Sequence, residues 1–243
     1  MKKEVMTVVK NVEIADKLYL LVLSGASYLA PGQFLQIKVP EYTLRRPFCA
    51  ADYDEKNDFL SIIYKVVGGG TKAMTKFEVG QKIDVLNCLG NGFDLSKTKK
   101  PLLIGGGVGI VPLFYLAKEL KKQGHEIISV LGYPCKDQCF FLEEFSKLGK
   151  VYISTDDGSL GVKGNVLDIL KTEDIEYDEF FACGPPIMLK ALSSWNSNGQ
   201  VSLESKMGCG FGACMGCSIK TTKGYKRVCK EGPVFKIDEV IFE

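Results

Sequence analysis

The feature that most constrains this chain is a group of four cysteines close to its carboxyl end. The spacing is C-x4-C-x2-C-x11-C, formed by Cys209, Cys214, Cys217 and Cys229, and glycines alternate with the first three. Three thiolates within nine residues, and a fourth after a short excursion, can converge on one centre from a single wrapped loop. The first three cysteines have the plant-type spacing of [2Fe–2S] ligands. Glycine permits the unusual dihedrals and the close backbone approach that enclosing such a cluster requires.

Two other interpretations of these cysteines remain open. A structural zinc site also uses four cysteines, usually as two C-x2–4-C pairs on separate arms; the protein would then be a zinc-stapled binding module without redox activity. The thiols could also be incidental. Residues 200–243 are too few for a self-sufficient core, and lobes of this size usually need a metal or an equivalent staple. The placement of three cysteines on one loop favours an iron–sulfur cluster.

Charge and residue counts exclude several classes of function. Lys and Arg number 31 and Asp and Glu 29, so the net charge of +2 lacks the electrostatic footprint of a nucleic-acid-binding protein. A single histidine, His125, nearly excludes Ser-His-Asp and multi-histidine metal chemistry. No stretch supplies the about 20 apolar residues of a membrane helix, and the charged amino-terminal residues do not form a secretory signal. We therefore expect a soluble, cytoplasmic protein that binds no membrane.

The pattern of strands and helices changes near residue 97 and again near residue 200. Six short apolar segments separated by turns predict a small antiparallel β-barrel domain over residues 1–97. Strands alternate with helices over residues 98–199, which predicts a doubly wound α/β domain with a parallel sheet. Residues 200–243 form the cysteine lobe. The predicted barrel strands cover 4–12, 18–23, 34–39, 48–52, 59–66 and 82–86, and a short helix is predicted over 71–77.

The barrel contains two pieces of a possible flavin site. The chain has only three arginines, and two of them lie in the run Arg45-Arg46-Pro47-Phe48-Cys49 between two strands. A guanidinium binds phosphate in a bidentate manner. Some twenty residues further on, Gly68-Gly69-Gly70-Thr71 opens a short helix whose free N–H groups favour an anion. Each piece alone has an ordinary structural explanation, but together Arg46 and this turn could hold the pyrophosphate of FAD.

The α/β domain carries two glycine turns at strand ends. The first, Gly105-Gly106-Gly107-Val108-Gly109, leads into a helix and places glycines beneath a pyrophosphate. The second, Cys183-Gly184-Pro185, follows the strand predicted over 179–182, so both turns fall at the carboxyl edge where such sheets bind ligands. Cys183 either contacts a nicotinamide ring or is a buried thiol. No arginine lies between Arg46 and Arg227 to bind a 2′-phosphate, which favours NADH over NADPH, although Lys136 leaves NADPH open.

In combination these stretches resemble the ferredoxin-reductase superfamily and, within it, the electron-transfer subunits of NAD-dependent dihydroorotate dehydrogenase. The resemblance spans nearly the whole chain and rests above all on the run SLESKMGCGFGACMGC over residues 202–217. The segment over 228–235 supports it, as do 46–49, 63–65, 70–71, 89–93, 105–109 and 183–185. The implied fold is an FAD-binding β-barrel, an NAD-binding α/β domain and a small [2Fe–2S] lobe.

The resemblance implies a site for each of three cofactors. FAD would be lined by Arg46, Pro47, Phe48, Cys49, Ile63, Tyr64, Lys65, Gly70 and Thr71. NAD(H) would contact Gly106, Gly107, Gly109, Cys183, Gly184 and Pro185. A [2Fe–2S] cluster would be held by Cys209, Cys214, Cys217 and Cys229. The superfamily usually has a Ser or Thr hydroxyl near the flavin ring where this chain has Cys49, and a thiol is a weaker donor.

The resemblance further implies a redox converter. Hydride equivalents pass between NAD(H) and FAD, and single electrons between FAD, the cluster and a partner, so no protein general base is needed. The implied partner is an FMN-containing dihydroorotate dehydrogenase catalytic subunit that converts dihydroorotate to orotate in pyrimidine synthesis, in a heterotetramer of two subunits of each kind. Sister subunits of the same design serve a hydrogenase, a sulfide dehydrogenase or a ferredoxin:NADP reductase, and the sequence leaves that alternative open.

Overall fold

The structure is a computed structural model that describes residues 1–242, and its amino-terminal part is an antiparallel sheet. The strands are β1 (Lys2–Ala15), β2 (Leu18–Ser24), β3 (Phe34–Ile37), β4 (Arg46–Cys49), β5 (Asp52–Asp54), β6 (Phe59–Lys65) and β7 (Lys82–Leu89). They are ordered β4-β3-β7-β1-β2-β6-β5, and all neighbours pair antiparallel. One short helix, α1 (Gly69–Met74), connects β6 to β7.

Alternating apolar residues turn one face of this sheet inward. In β7, Ile83 and Val85 are buried whereas Asp84 between them is partly exposed, as the period of a strand requires. Leu21 and Leu23 of β2 join them in one apolar core. The expected antiparallel barrel domain is confirmed. The strand predicted over 48–52 is wrong in extent, because β4 ends at Cys49 and β5 begins at Asp52.

The remaining elements build a second sheet and a hairpin. The strands are β8 (Pro101–Gly106), β9 (Ile127–Tyr133), β10 (Gly149–Thr155), β11 (Val162–Lys163), β12 (Glu179–Cys183), β13 (Gly199–Ser202), β14 (Ser218–Thr221), β15 (Gly224–Arg227) and β16 (Val234–Lys236). The helices are α2 (Ile110–Lys122), α3 (Leu142–Leu148), α4 (Val166–Thr172) and α5 (Pro186–Trp195). The second sheet is ordered β11-β10-β9-β8-β12-β13-β16, and β14 pairs only with β15.

Helices cover both faces of the second sheet. Residues of α2 and α3, such as Leu116 and Phe145, join one apolar cluster, and residues of α4 and α5, such as Ile169 and Leu192, join another. All strand pairs in this sheet are parallel except the last, in which β16 runs antiparallel to β13. A parallel sheet sandwiched between two helical layers is the doubly wound α/β architecture. The predicted fold class is therefore confirmed.

The cysteine lobe is joined to the second sheet by two strands that the sequence pattern did not predict. We expected regular strands and helices to end near residue 200, but β13 extends the parallel sheet to Ser202. The chain then leaves the sheet, forms the cysteine loop and the β14–β15 hairpin, and returns as β16. The register pairs Gln200 with Lys236 and Ser202 with Val234. The domain limits at residues 97 and 199 stay a prediction.

Polar contacts fix the barrel, the α/β domain and the lobe against one another. Nζ of Lys118 in α2 lies 2.5 Å from both carboxylate oxygens of Asp52 in β5. The buried Tyr115 donates its hydroxyl proton to the carbonyl oxygen of Leu29 at 3.0 Å. The side chain of Asn91 donates to the carbonyl oxygens of Lys230 and Glu231 in the lobe. Within residues 1–242, no helix has the length and apolar character needed to cross a bilayer.

Candidate functional site

One pocket lies where the barrel, the start of α2 and the chain after β13 meet. Its volume is about 410 Å³. It is lined by eight of the nine residues that the resemblance assigned to FAD, namely Arg46, Pro47, Phe48, Cys49, Ile63, Tyr64, Lys65 and Thr71. Val108, Val111 and Pro112 close it from the α/β side, and Ser202 to Ser205 and Met207 close it from the lobe side. The structure therefore brings the predicted flavin residues together around one cavity.

Arg46 reaches this pocket from the start of β4. Its Nη1 donates to the carbonyl oxygen of Leu44 at 2.6 Å, and its guanidinium carbon lies 5.0 Å from the centre of the Tyr42 ring. A β-carbon at Gly70 would lie only 2.2 Å from Nε of Arg46, so the guanidinium occupies space that any larger residue would fill. Arg45, in contrast, is paired with Asp84, with Nη2 and Oδ1 2.9 Å apart. Only Arg46 of these two neighbours is placed to bind a phosphate.

Thr71 shapes the turn beneath Arg46. Its hydroxyl oxygen accepts from the backbone N–H groups of Val67 at 3.0 Å and Gly68 at 3.2 Å, and the hydroxyl donates to the carbonyl oxygen of Gly68. These bonds hold the glycine turn at the start of α1. Thr71 lines the pocket as predicted, but its hydroxyl is engaged within the turn.

Aromatic rings form the apolar wall of the pocket. Tyr64 is almost fully buried, stacks on Tyr19 with ring centres 5.5 Å apart and lies 5.9 Å from Phe48. Its hydroxyl donates to Oδ1 of Asn11 at 3.1 Å. Burial raises the pKa of Tyr64 well above its usual range, so the ring stays neutral. Such a wall suits the flat apolar face of a flavin ring.

Two thiols and a carboxyl group approach one another inside the pocket. Burial, and secondarily the charge of Glu204, raises the pKa of Cys49 to about 12. Burial, followed by the neighbouring Cys49 and Glu204, raises the pKa of Cys183 well above its ordinary value. Glu204 is exposed over much of its surface, but desolvation by the pocket walls raises the pKa of its carboxyl. Both thiols are therefore neutral weak donors near neutral pH and not nucleophiles.

Glu204 was missed by the sequence analysis. It lies within the run that carried the resemblance, but nothing in its local sequence distinguishes it from a surface glutamate. Its position in the pocket follows from β13, which ends at Ser202 and directs the next residues into the cavity. Only a prediction of β13 as a sheet strand would have found it.

The two glycine turns of the α/β domain meet at the carboxyl edge of the sheet. A β-carbon at Gly109 would lie 2.4 Å from the carbonyl oxygen of Cys183, and one at Gly184 would lie 3.1 Å from the backbone nitrogen of Gly106. Pro185 packs against Gly106 as well, because its Cδ atom would lie 2.9 Å from a β-carbon at Gly106. These glycines therefore allow the two turns to pack directly against each other. Gly107 has φ of +54° and nothing within 4 Å of its β-carbon position, so its face is open to a ligand.

A smaller cavity of about 220 Å³ continues from the open Gly107 along the same edge. Lys65 and Val108 line both cavities, and Tyr133 and Pro134, at the end of β9, line this one alone. Asp137 lines it too, although its local sequence does not distinguish it from a surface aspartate. An acidic side chain near the end of a strand adjacent to the glycine turn is the usual partner of a ribose hydroxyl in NAD sites.

The four lobe cysteines approach one another as two pairs. The Cys214 thiol and backbone N–H groups face Sγ of Cys209, with the nitrogens of Ala213 and Cys214 at 3.2 and 3.4 Å. The backbone nitrogen of Cys229 lies 3.4 Å from Sγ of Cys217. Among residues 1–242, no three His, Cys, Asp or Glu side chains are grouped as around one metal ion. Two cysteine pairs match the ligands of the two irons in a [2Fe–2S] cluster.

The thiols of the two pairs differ in their proton affinity. Burial acts to raise the pKa of Cys209, but hydrogen bonds from the backbone N–H groups of Cys214, Phe211 and Ala213 outweigh this effect and lower the pKa to about 6. Burial and the neighbouring Cys217 thiol raise the pKa of Cys229 to about 12. Iron binds the thiolate form, so the partly exposed Cys209 is prepared to bind it, whereas the buried Cys229 needs the charge of the metal to lose its proton.

Arg227 holds the loop that carries the first three cysteines. Its Nη1 donates to the carbonyl oxygen of Gly212 at 2.6 Å, and its guanidinium also binds the carboxylate of Glu231. This pairing lowers the pKa of Glu231 to about 2. Gly210 and Gly212 have φ of +78° and +93°, conformations that bring the loop backbone around a central group. The donor set and the loop geometry therefore fit an iron–sulfur cluster.

The flavin pocket and the cysteine lobe share a wall. Phe34 lines the pocket and packs in the same apolar cluster as Cys217 and Cys229. Cys49 of β4 also contacts this cluster. The two candidate redox sites therefore have Phe34 and Cys49 in common as wall residues.

Comparison with known proteins agrees with this arrangement. Residues 204–241 match the family described as "Iron-sulfur cluster binding domain of dihydroorotate dehydrogenase B". A relative from Fusobacterium nucleatum subsp. nucleatum is 42% identical over 259 residues, covering 100% of both chains. One from Geobacillus sp. (strain WCH70) is 43% identical over 255 residues, covering 99% of both. Each is named "Dihydroorotate dehydrogenase B (NAD(+)), electron transfer subunit". A solved NADH-dependent reduced ferredoxin-NADP oxidoreductase chain has a TM-score of 0.89 and 32% identity, covering 98% of this chain and 90% of its own length.

Fold and site together define a reductase of the ferredoxin-reductase type with an attached iron–sulfur lobe. The identities over the full length are high enough to go further. The chain belongs to the family of electron transfer subunits of dihydroorotate dehydrogenase B. This membership confirms the predicted oxidoreductase function and the predicted cofactors, FAD, a [2Fe–2S] cluster and NAD(H). It also identifies the chain as one subunit of an enzyme with a separate catalytic partner.

Proposed function

We propose that this chain passes electrons between NAD(H) and the FMN of a dihydroorotate dehydrogenase catalytic subunit, in the conversion of dihydroorotate to orotate with NAD+. The observation that carries the proposal is the shared wall, in which Phe34 contacts both the flavin pocket and the buried cysteine pair. A short distance between redox sites suits single-electron transfer. FAD supplies the chemistry that joins two-electron exchange with NAD(H) to one-electron exchange with the cluster.

The barrel residues hold and orient the flavin in this proposal. Arg46 binds the pyrophosphate, because its guanidinium lies beside the glycine turn at the start of α1. Tyr64 and Phe48 provide the apolar wall for the ring. Cys49 replaces a hydroxyl with a neutral thiol that can donate only a weak hydrogen bond. The remaining residues of the proposed FAD site are Pro47, Ile63, Lys65, Gly70 and Thr71.

The α/β domain binds the dinucleotide along the edge where its two glycine turns meet. Gly106, Gly107 and Gly109 lie beneath the pyrophosphate, and Cys183, Gly184 and Pro185 lie at the nicotinamide end, next to the flavin pocket. Asp137, which lines the smaller cavity, accepts hydrogen bonds from the adenosine ribose. A carboxylate in that position repels a 2′-phosphate, which strengthens the preference for NADH over NADPH.

The partner and the assembly go beyond what the family name states. We assign the catalytic subunit an FMN and the complex two subunits of each kind, in the cytoplasm, with neither nucleic acid nor membrane as a further ligand. Cys209, Cys214, Cys217 and Cys229 hold the [2Fe–2S] cluster at the face of the lobe, where Cys214 is exposed. The proposed domains are residues 1–97 for FAD, 98–199 for NAD and 200–243 for the cluster.

A second candidate function is that of a ferredoxin:NADP reductase subunit. The 32% identity to the solved oxidoreductase chain over 98% of this chain supports it. The identities of 42% and 43% to the dihydroorotate dehydrogenase subunits favour the first function.

The deciding experiment is isolation of the native complex followed by identification of its second subunit and an assay of the intact assembly. We expect an FMN-containing subunit in equal amount and NAD+-dependent oxidation of dihydroorotate. This chain alone should oxidise NADH with an artificial acceptor and leave dihydroorotate unchanged. Co-purification with a hydrogenase or glutamate-synthase-like subunit, together with no dihydroorotate oxidation, would overturn the assignment.

A further inference from the structure

Gln36 is a polar residue that is completely buried in an unusual position. It lies on β3, where Leu35 and Ile37 point into the barrel core and Phe34 points toward the cysteine lobe. Because side chains alternate along a strand, Gln36 shares the face of Phe34. Its exposed fraction is 0%, and neither Nε2 nor Oε1 has a hydrogen-bond partner. Buried amides are nearly always paired, so this carboxamide points to a group that binds there.

The neighbour of this carboxamide is the cysteine loop. A β-carbon at Gly210 would lie 2.3 Å from Cδ of Gln36 and 2.4 Å from both Nε2 and Oε1. Gly210 directly follows Cys209, and its φ of +78° bends the loop around Gln36. Phe34, two residues away on the same face, packs with Cys217 and Cys229. The Gln36 carboxamide therefore lies against the backbone of the cysteine loop, at the residue next to Cys209.

A cluster bound by the cysteine loop would present hydrogen-bond acceptors to Gln36. The backbone N–H groups of Ala213 and Cys229 already point at cysteine sulfurs, at 3.2 and 3.4 Å. Sulfur atoms of an iron–sulfur cluster carry negative charge and accept such bonds, and hydrogen bonds to them are one of the features that set the reduction potential. An N–H donor stabilises the reduced cluster more than the oxidised one because reduction adds negative charge.

We propose that the Gln36 carboxamide donates a hydrogen bond to a sulfur atom of the [2Fe–2S] cluster and thereby raises its reduction potential. The inference rests on the proposed assignment of the cluster to the four cysteines. Gln36 is paired in register with Pro47 of β4, a residue that lines the flavin pocket. Gln36 thus adjusts the driving force for electron transfer between the flavin and the cluster, and it does not itself react.

The test is a redox titration of the cluster in the purified complex, followed by electron paramagnetic resonance. Gln36→Met keeps the length of the side chain and removes the donor. We expect the ratio of reduced to oxidised cluster at a fixed potential to fall about tenfold, which corresponds to about 59 mV for a one-electron couple. The matched control is Gln33→Met, because both amide atoms of Gln33 are already paired, with Ala30 and Gly90. Its titration should coincide with that of the unmodified protein.

A second measurement decides the matter if Gln36→Met fails to assemble its cluster. Protein is labelled with nitrogen-15 at the glutamine side-chain amides and its reduced cluster is studied by pulsed electron paramagnetic resonance. We expect a weak coupling between the cluster and a labelled nitrogen, and we expect the same coupling in labelled Gln33→Met. No such coupling in the labelled unmodified protein, or a potential unchanged in a fully loaded Gln36→Met, would overturn the inference and leave the cluster assignment intact. Unmodified complex without any cluster signal would instead overturn the proposed function.

Discussion

Replacement of Gly70 by alanine should weaken FAD binding without weakening the fold. The new methyl group would lie 2.2 Å from Nε, 2.6 Å from Nη2 and 2.7 Å from Cζ of Arg46. These atoms end a flexible side chain, so the guanidinium moves aside while the backbone stays in place. Gly70 is inside α1, where alanine is favoured over glycine by about 1 kcal/mol. Any loss of flavin therefore reports on Arg46 and not on the stability of the helix.

The magnitude follows from the bonds that a displaced guanidinium loses. A hydrogen bond to a charged group contributes about 1.5–3 kcal/mol. Loss of one such contribution to the FAD pyrophosphate weakens binding by about 10- to 150-fold. Titration of the flavin-free protein with FAD, followed by quenching of flavin fluorescence, measures the ratio of dissociation constants, and thermal unfolding verifies the fold.

Gly68→Ala is the matched control, two residues earlier in the same turn. A β-carbon at Gly68 has no atom within 4 Å, and its φ of −169° is extended backbone that alanine adopts. Its FAD affinity should stay within about threefold of that of the unmodified protein, a smaller change than the loss of one hydrogen bond to a charged group would cause. Equal affinities for Gly70→Ala and Gly68→Ala, with both proteins folded, would refute the role of Arg46 in binding the pyrophosphate.

Three further predictions address the cluster, the pocket carboxyl and the dinucleotide. Cys214→Ser should abolish the paramagnetic signal of the reduced cluster and leave bleaching of the flavin by NADH, because most of the residues that bind FAD lie outside the lobe; loss of both would show that the pocket needs the loaded lobe. Partial desolvation raises the pKa of Glu204, and bound FAD would remove more water from this carboxyl, so binding should take up a proton and FAD affinity should fall as the pH rises above the ordinary glutamate pKa of 4.5. In Glu204→Gln this slope should flatten, and an unchanged slope would assign the proton elsewhere. Asp137→Ser should raise the kcat/KM for NADPH relative to NADH about tenfold, the equivalent of 1.4 kcal/mol of relieved repulsion, and an unchanged ratio would remove Asp137 from the ribose site.

The features of this molecule that the sequence predicts are those determined by residues close together in the chain. The spacing of Cys209, Cys214 and Cys217 indicates metal ligands on one loop, whatever the position of that loop in the fold. The turn at Gly107 directly follows its strand, β8. The alternation of strands and helices likewise predicts the parallel sheet, because each βαβ unit is short. These features were predicted to within a few residues.

The parts that the sequence does not predict depend on contacts between distant segments. β16 becomes a strand only because β13 offers it an edge some thirty residues earlier in the chain, and its three residues have no recognisable period. Glu204 enters the flavin pocket as a result of that pairing. Gln36 sits in a strand whose other residues are apolar, and only the packing of Gly210 against it shows what it faces.

The insertion of the cysteine loop between β13 and β16 has a mechanical consequence. The two ends of the loop are clamped by the pairing of Gln200 with Lys236 and of Ser202 with Val234, so the iron-carrying segment cannot swing on a tether as a separate carrier domain would. A cluster held by this loop would therefore keep a constant separation from a flavin bound in the barrel, and electron transfer between them would need no diffusive search. Internal transfer in the intact complex should consequently proceed at the same rate in dilute buffer and in a viscous glycerol solution.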